Sequence, residues 1–337
     1  MADRNSFVPA TPEWYASVDE PVIDPERPIV DPHHHLWEIS GMDYLLEDLW
    51  ADTGSGHNVD KTVFVECGAA YRPDGPEELR PVGETEFVAA IAAASEAGPG
   101  PRIAGIVAHT DLTLGAAVGE VLAAHEEAGR GLFRGIRHAG AHAEHPESLM
   151  IPGRAPSGLF ADETFRDGVR RLGELSYTYE SWHYHHQIRE FTDLARAAPD
   201  TTIILDHFGT PLGVGPFEGH REEIFDRWRD DIEELAECPN VVAKLGGLAM
   251  PDNGFGWHLA DRPATSDELV EAQGRYYHHA IGCFGPDRCM FESNFPVDRL
   301  SISYRVLYNA FKKIAAGYTE NEQTAMFYGT ASRVYRI

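Results

Sequence analysis

From Pro28 onward the chain alternates short β-branched or apolar runs with longer stretches of helical period. Eight runs read as strands: 29–33, 61–66, 102–108, 133–137, 176–180, 201–206, 240–245 and 288–292. Amphipathic stretches between them predict helices over 84–96, 115–128, 162–172, 188–198, 221–236 and 267–283, with a last pair near 303–315 and 320–327. Eight strand–helix units predict an α/β fold, a (β/α)8 TIM barrel with an extended N-terminal arm and long βα loops. A doubly wound sheet is the competitor, but it usually carries a glycine-rich phosphate turn after its first strand, and this chain has none there. Glycine- and proline-containing segments 71–83, 143–158, 209–219 and 251–263 all follow strands, which places them on the catalytic face of a barrel. Residues 1–28 are rich in Pro, Asp and Glu and lack periodicity, so they read as the arm; 29–337 reads as one catalytic barrel.

Composition narrows the class. A length of 337 residues suits one barrel with insertions, and 43% hydrophobic residues suffice for its core. No apolar run approaches the roughly 20 residues that a membrane span needs. The first residues lack the charged-then-apolar pattern of a signal peptide, so a cytoplasmic protein without membrane contact is expected. The four cysteines, Cys67, Cys238, Cys283 and Cys289, form no C-x-x-C pair, which argues against a disulfide framework or a cysteine zinc site. A net charge of −26 repels phosphate backbones and excludes nucleic acid as a partner; the acidic residues are spread along helices, as on a solubilising surface.

The chemistry concentrates at strand ends. Val30-Asp31-Pro32-His33-His34-His35-Leu36-Trp37 closes the first strand. Side chains two apart on a strand share a face, so Asp31, His33 and His35 are expected to point to the barrel mouth, and Pro32 and His34 to the helix layer. Two imidazoles side by side there can hold one divalent ion. More of the 17 histidines follow later strands: His109, His138, the group His183, His185 and His186, and His207. Together they describe a histidine-lined cup whose neutral rings can ligate metal, polarise a carbonyl or carry protons. Arg137 ends the fourth strand and Lys244 lies in the seventh; a cation buried at the mouth needs an anion from the protein or the substrate. Trp37, Tyr71, Trp182, Tyr184, Phe255, Trp257 and Phe295 stand at strand ends or in the following loops, which favours a ring-containing or flat substrate.

These motifs, taken in order, resemble the amidohydrolase superfamily, in the branch of amidohydrolase-related lactonases that includes 2-pyrone-4,6-dicarboxylate lactonase and the sugar-lactone hydrolases. The resemblance is carried by residues 31–37, by Ile106-Val107-Ala108-His109-Thr110-Asp111-Leu112 and by Phe133-Arg134-Gly135-Ile136-Arg137-His138. Trp182-His183-Tyr184-His185-His186-Gln187, Leu205-Asp206-His207-Phe208-Gly209, residues 290–296 and Met326-Phe327-Tyr328-Gly329-Thr330-Ala331 extend it to the C-terminus. It implies that His33 and His35 match the first-strand pair that ligates metal in metal-dependent relatives. It also implies that His185 and His207 match the fifth- and sixth-strand histidines, which complete a metal site or bind the substrate carbonyl. Some relatives work without metal, so a divalent ion, zinc or manganese, and a metal-free centre both stay open.

One departure stands out. The family's eighth strand usually ends in Gly-Ser-Asp-x-Pro, whose aspartate activates water; here Phe291-Glu292-Ser293-Asn294-Phe295-Pro296 places asparagine at that position. An amide accepts no proton near neutral pH. Glu292, Asp298 past the strand and Glu66 at the end of strand two are the candidate replacements, each also readable as a structural partner to Arg137, Lys244 or a histidine.

The candidate catalytic residues are thus His207, His185, Glu292, Asn294 and Asp298. Arg137, Lys244, Trp37, His109 and Tyr184 are the candidate substrate contacts, and His33, His35 and His207 the candidate metal ligands. Three functions remain in view: hydrolysis of a lactone or similar carboxylic ester, a lyase reaction (decarboxylation or hydration) on an unsaturated or aromatic acid, and ligand binding by a silent barrel. The partner is in each case a small molecule bearing a carboxylate or ring; the sequence leaves a homodimer open.

Overall fold

The computed structural model describes residues 11–39 and 42–337. β1 (Pro28–His34), β2 (Asn58–Val65), β3 (Arg102–Ala108), β4 (Phe133–Arg137), β5 (Thr178–Ser181), β6 (Ile203–Leu205), β7 (Val241–Leu245) and β8 (Cys289–Phe291) pair in parallel in chain order. A parallel bridge between His34 and Phe295 brings the ends together. His35 N donates to the Phe295 carbonyl at 2.8 Å, and Asn294 N to that of His33 at 3.0 Å. The sheet is therefore a nearly closed (β/α)8 barrel, with each predicted strand present.

The helices are α1 (Pro12–Ala16), α2 (Leu46–Thr53), α3 (Val82–Ser95), α4 (Gly119–Gly129), α5 (Glu163–Glu174), α6 (Ile188–Ala197), α7 (Arg221–Ala236), α8 (Ser266–Phe284), α9 (Tyr304–Ala315), α10 (Glu320–Thr324) and α11 (Thr330–Tyr335). Three, α1, α2 and α11, depart from the sequence reading by existing at all. α1 lies inside the arm, started by Thr11, whose side chain accepts from Trp14 N, and by Pro12 in the first turn. α2 links β1 to β2; it buries only Leu49 and Thr53, too few positions to reveal a period. The helix predicted from residue 115 begins at Gly119, because Gly115 takes a φ of 58° that interrupts a preceding 3₁₀ turn. The helix predicted over 320–327 is α10, which runs into a π turn, Ala325–Gly329, before α11.

The arm is not loose between residues 11 and 28. Trp14 Nε1 donates to the Ala260 carbonyl at 2.9 Å, Tyr15 Oη to that of Arg299 at 2.6 Å, and Ile23 N to Asn309 Oδ1 at 2.9 Å. The remaining arm positions, 1–10, lie outside the described residues.

Two apolar layers fix which way each strand faces. Ile29, Phe64, Ile103 and Leu205 pack outward under the helices. Val30, Val63, Val65, Val107, Ile204 and Val242 face inward and share one cluster with Ala331, Val334 and Tyr335 of α11. The last helix therefore plugs the barrel, and the polar site lies above this apolar floor. Among the described residues no helix is long and apolar enough to cross a membrane. All four cysteines are free.

Candidate active site

The alternation of β1 breaks where the chemistry begins. Its register against β2 shifts between Asp31 and His34. Val30 faces the interior, so Asp31 faces outward: Oδ2 accepts from Tyr304 Oη of α9 at 3.0 Å and Oδ1 from Ser293 N at 2.9 Å. Asp31 thus anchors β1 to β8 and α9, contrary to the expectation that it shares the face of His33. The shifted register turns His33 inward, while His34 meets Phe64 in the outer layer, ring centroids 6.0 Å apart.

Around His33 the strand ends assemble a charged layer. Glu292 bridges two histidines: Oε2 lies 2.7 Å from His33 Nδ1 and Oε1 2.7 Å from His207 Nδ1. Lys244 Nζ lies 2.6 Å from Glu180 Oε2, 3.2 Å from His33 Nδ1, 3.5 Å from Asp206 Oδ1 and 4.0 Å from Glu292 Oε2. Arg137 donates from Nε to Glu66 Oε1 at 2.8 Å and also reaches the Glu66 carbonyl. Its Nη1 stands 3.3 Å from His33 Nε2 and 3.7 Å from Asp206 Oδ2. His33, Asp206 and Glu292 are fully buried. Yet Glu292 Oε2 and both Asp206 oxygens accept no hydrogen bond among the described residues. These three buried carboxylate oxygens lie around His33, Lys244 and Arg137, where a proton, a water or a cation can satisfy them.

Burial sets the protonation states. It drives His207 down to about 3 and His33 and His35 well below the usual histidine range, with Lys244 and Arg137 nearby adding to the effect, so the rings are neutral. Burial raises Glu180 to about 7, against the pull of Lys244, and raises Glu292 well above the ordinary carboxylate range. Burial alone would lower Lys244; Glu180, Asp206 and Glu292 more than offset it and keep the ammonium charged.

A divalent cation fits this chemistry. His33, Asp206 and His207 each offer a ligand atom, all within 4.8 Å of one another. Two are neutral imidazoles and the third is the carboxylate without hydrogen bonds. Among the described residues, the fixed cations paired with Glu66, Glu180, Asp206 and Glu292 in this layer are Arg137 and Lys244, so a divalent ion would offset the excess of carboxylates.

The structure gathers His33, His207, Glu292, Arg137 and Lys244 as the sequence suggests. His35 stands beside them, its ring 4.9 Å from that of His33, but it is not in the ligand set, and its Nδ1 is held by the Val65 carbonyl at 2.8 Å. Trp37 stacks on His35 at 6.1 Å, and its Nε1 donates to Met42 O. His109 sits at the β3 end with Nδ1 on the Arg137 carbonyl at 3.0 Å and Tyr71 stacked on its ring. Asn294, at a φ of 56°, turns its amide onto Asp298 Oδ1 at 3.0 Å. Asp298 also accepts from Ala249 N at 3.2 Å and so braces the β7 loop.

Two candidates lie elsewhere. His185 accepts Leu212 N on Nδ1 at 3.3 Å and meets Phe217, in a groove beside α7. Tyr184 is buried among Ala141, Leu149 and Leu212, its hydroxyl accepting from Gly153 N at 2.7 Å.

Sequence reasoning assigns no role to Asp206 or Glu180. A signal existed: Ile204 faces inward, so Asp206, two residues on, does too. Sequence reasoning also misses the Gly246-Gly247 pair. A Cβ on Gly246 would fall 2.2 Å from the Glu292 carbonyl, and one on Gly247, at a φ of 73°, 2.3 Å from His207 Nδ1. Only glycine lets the β7 loop close this tightly over the pair.

The Amidohydrolase family matches residues 30–337. An uncharacterised protein of Sinorhizobium fredii is 32% identical, covering 92% of this chain and 98% of its own. An L-fucono-1,5-lactonase of Burkholderia multivorans is 26% identical, covering 91% of this chain and 96% of its own. In fold, the chain is similar to a zinc-bound amidohydrolase crystal structure from Burkholderia multivorans, with a TM-score of 0.72 at 24% identity, covering 92% of this chain and 99% of that one.

Proposed function

Because this chain belongs to the amidohydrolase family, we propose that it hydrolyses a lactone or similar carboxylic ester of a small organic acid, at the layer formed by His33, Arg137, Asp206, His207, Lys244 and Glu292. The observation that carries this reading is the gathering of the buried Asp206 and Glu292 carboxylates around two neutral histidines, Lys244 and Arg137, with three of their oxygens accepting no hydrogen bond. Two curated relatives bear the name of a lactonase, which supports the choice of ester.

His33, Asp206 and His207 would hold a divalent ion, zinc or manganese, which would supply Lewis acidity toward the carbonyl. The other residues do the following. Glu292 uses Oε1 to fix the His207 ring, and its Oε2, which accepts no hydrogen bond although it lies 2.7 Å from His33 Nδ1, takes the proton of the attacking water. Its raised pKa makes it a better base than an exposed carboxylate and lets it return that proton to the leaving ring oxygen. Arg137, oriented by Glu66, and Lys244, held by Glu180, carry the negative charge that develops on the carbonyl oxygen. Asn294 stands outside the proton path, since its amide is committed to Asp298. Four free cysteines fit a reducing, cytoplasmic compartment.

The test joins metal analysis to a lactone panel followed by pH-stat. About one equivalent of metal, lost in His33→Ala, together with ring-opened acid as product, is the expected result. Carbon dioxide as product would replace hydrolysis by a lyase reaction.

A further inference from the structure

The apolar plug of the barrel is not purely apolar. Tyr335 of α11 is fully buried and packs with Val30, Ile204 and Val242 on the barrel floor. Its hydroxyl, however, donates to Glu180 Oε1 from below. The other oxygen of Glu180 holds Lys244 Nζ at 2.6 Å. The same ammonium stands 5.7 Å from the Tyr335 ring centroid, 3.5 Å from Asp206 and 3.2 Å from His33. A hydrogen-bonded column thus runs up the barrel axis from the third-last residue of the chain to the site.

We propose that Tyr335 is a positioning residue for the reaction: its hydroxyl shares Glu180 with Lys244 and so leaves the ammonium poised between Glu180 and the Asp206–Glu292 side of the site. This inference rests on the hydrolytic reading above. Its physical content is a competition for one carboxylate. Glu180 has two donors inside the barrel, Tyr335 Oη on one oxygen and Lys244 Nζ on the other, and both draw on the charge of one carboxylate. With the hydroxyl removed, Glu180 loses one of the two donors that fix its place, and Lys244, 2.6 Å from its other oxygen, follows the freed carboxylate away from the site. Lys244 then supports less charge on the carbonyl oxygen, and Asp206 loses part of its cationic screen. A plain packing role makes neither prediction, because phenylalanine keeps the ring on the floor.

Tyr335→Phe decides between them, with Val334→Ala as a plug variant that leaves the hydroxyl in place; Val334 belongs to the same floor cluster. In Tyr335→Phe, kcat should fall by about ten- to a hundred-fold, as for partners that orient a site's inner residues, with KM within about two-fold of wild type. Zinc binding, measured by chelator competition on the unloaded protein, should tighten, because Asp206 is less screened. Val334→Ala should lose thermal stability but keep kcat and zinc affinity. Wild-type kcat and zinc affinity in Tyr335→Phe would overturn the proposal, as would equal losses of kcat in the two variants. A wild-type protein that opens no lactone would sink the hydrolytic reading instead, and the zinc comparison would still judge Tyr335.

Discussion

Replacing Asn294 by aspartate restores the residue that the family pattern has at the end of β8, and a sequence argument alone would expect a better hydrolase. The structure predicts the opposite. Asn294 Nδ2 lies 3.0 Å from Asp298 Oδ1, and both side chains are buried. In Asn294→Asp that donor becomes a second carboxylate oxygen. Two unit charges at the observed 3.0 Å separation repel by about 5 kcal/mol at an effective dielectric constant near 20. The pair avoids this by keeping one proton, at a cost of about 1.36 kcal/mol for each pH unit above the pKa of the unfolded group. Aspartate tolerates the left-handed backbone at this position nearly as well as asparagine, so the φ of 56° adds little. The folded pair holds its proton to higher pH than the unfolded chain, in which the new group titrates near about pH 4. The variant's stability should therefore match wild type in acid and fall behind as pH rises toward the folded pKa. Urea unfolding followed by tryptophan fluorescence should show little difference near about pH 4, at the unfolded pKa of an aspartate, and a deficit of roughly 3–5 kcal/mol at about pH 8. Lactone turnover should not increase. A variant as stable as wild type at alkaline pH, with faster turnover, would refute both the geometry at Asn294 and the role given to Glu292.

Three further outcomes follow from the same contacts. Glu292→Gln keeps the side-chain shape but removes the open basic oxygen, so kcat/KM should fall by about 10²–10⁴ with circular dichroism unchanged, measured on the same lactone. His207→Ala should abolish turnover and weaken zinc binding without unfolding the protein, whereas His185→Ala, in the α7 groove, should leave zinc binding intact; chelator competition separates the two. Glu84 is buried under the β2 loop, with Oε1 accepting from Cys67 N and Ala69 N, and burial raises it to about 8. A raised folded pKa means stability that is full in acid and declines between the unfolded pKa and about 8, so thermal unfolding of Glu84→Gln should depend less on pH over that window than wild type.

The sequence by itself determined the barrel, because strand and helix periods are local properties of the chain, and eight β-branched runs separated by amphipathic stretches have few other ways to bury their faces. It also determined that His33, Arg137, His207, Lys244 and Glu292 lie at strand ends. Three short helices escaped it: α1 and α2 bury too little to mark a period, and α11, of six residues, is too short to show one. Side-chain direction at the site was beyond it for a different reason. The register shift in β1 between Asp31 and His34 reverses the parity that placed Asp31 beside His33. His185 follows a strand too, yet the chain turns before it and carries it to α7. Only the tertiary structure decided that Glu292 bridges two histidines, that Asn294 serves Asp298, and that Tyr335 reaches Glu180 from 155 residues away. Those pairings join residues far apart in sequence, and the closure of the barrel, not any local pattern, brings them within hydrogen-bonding reach.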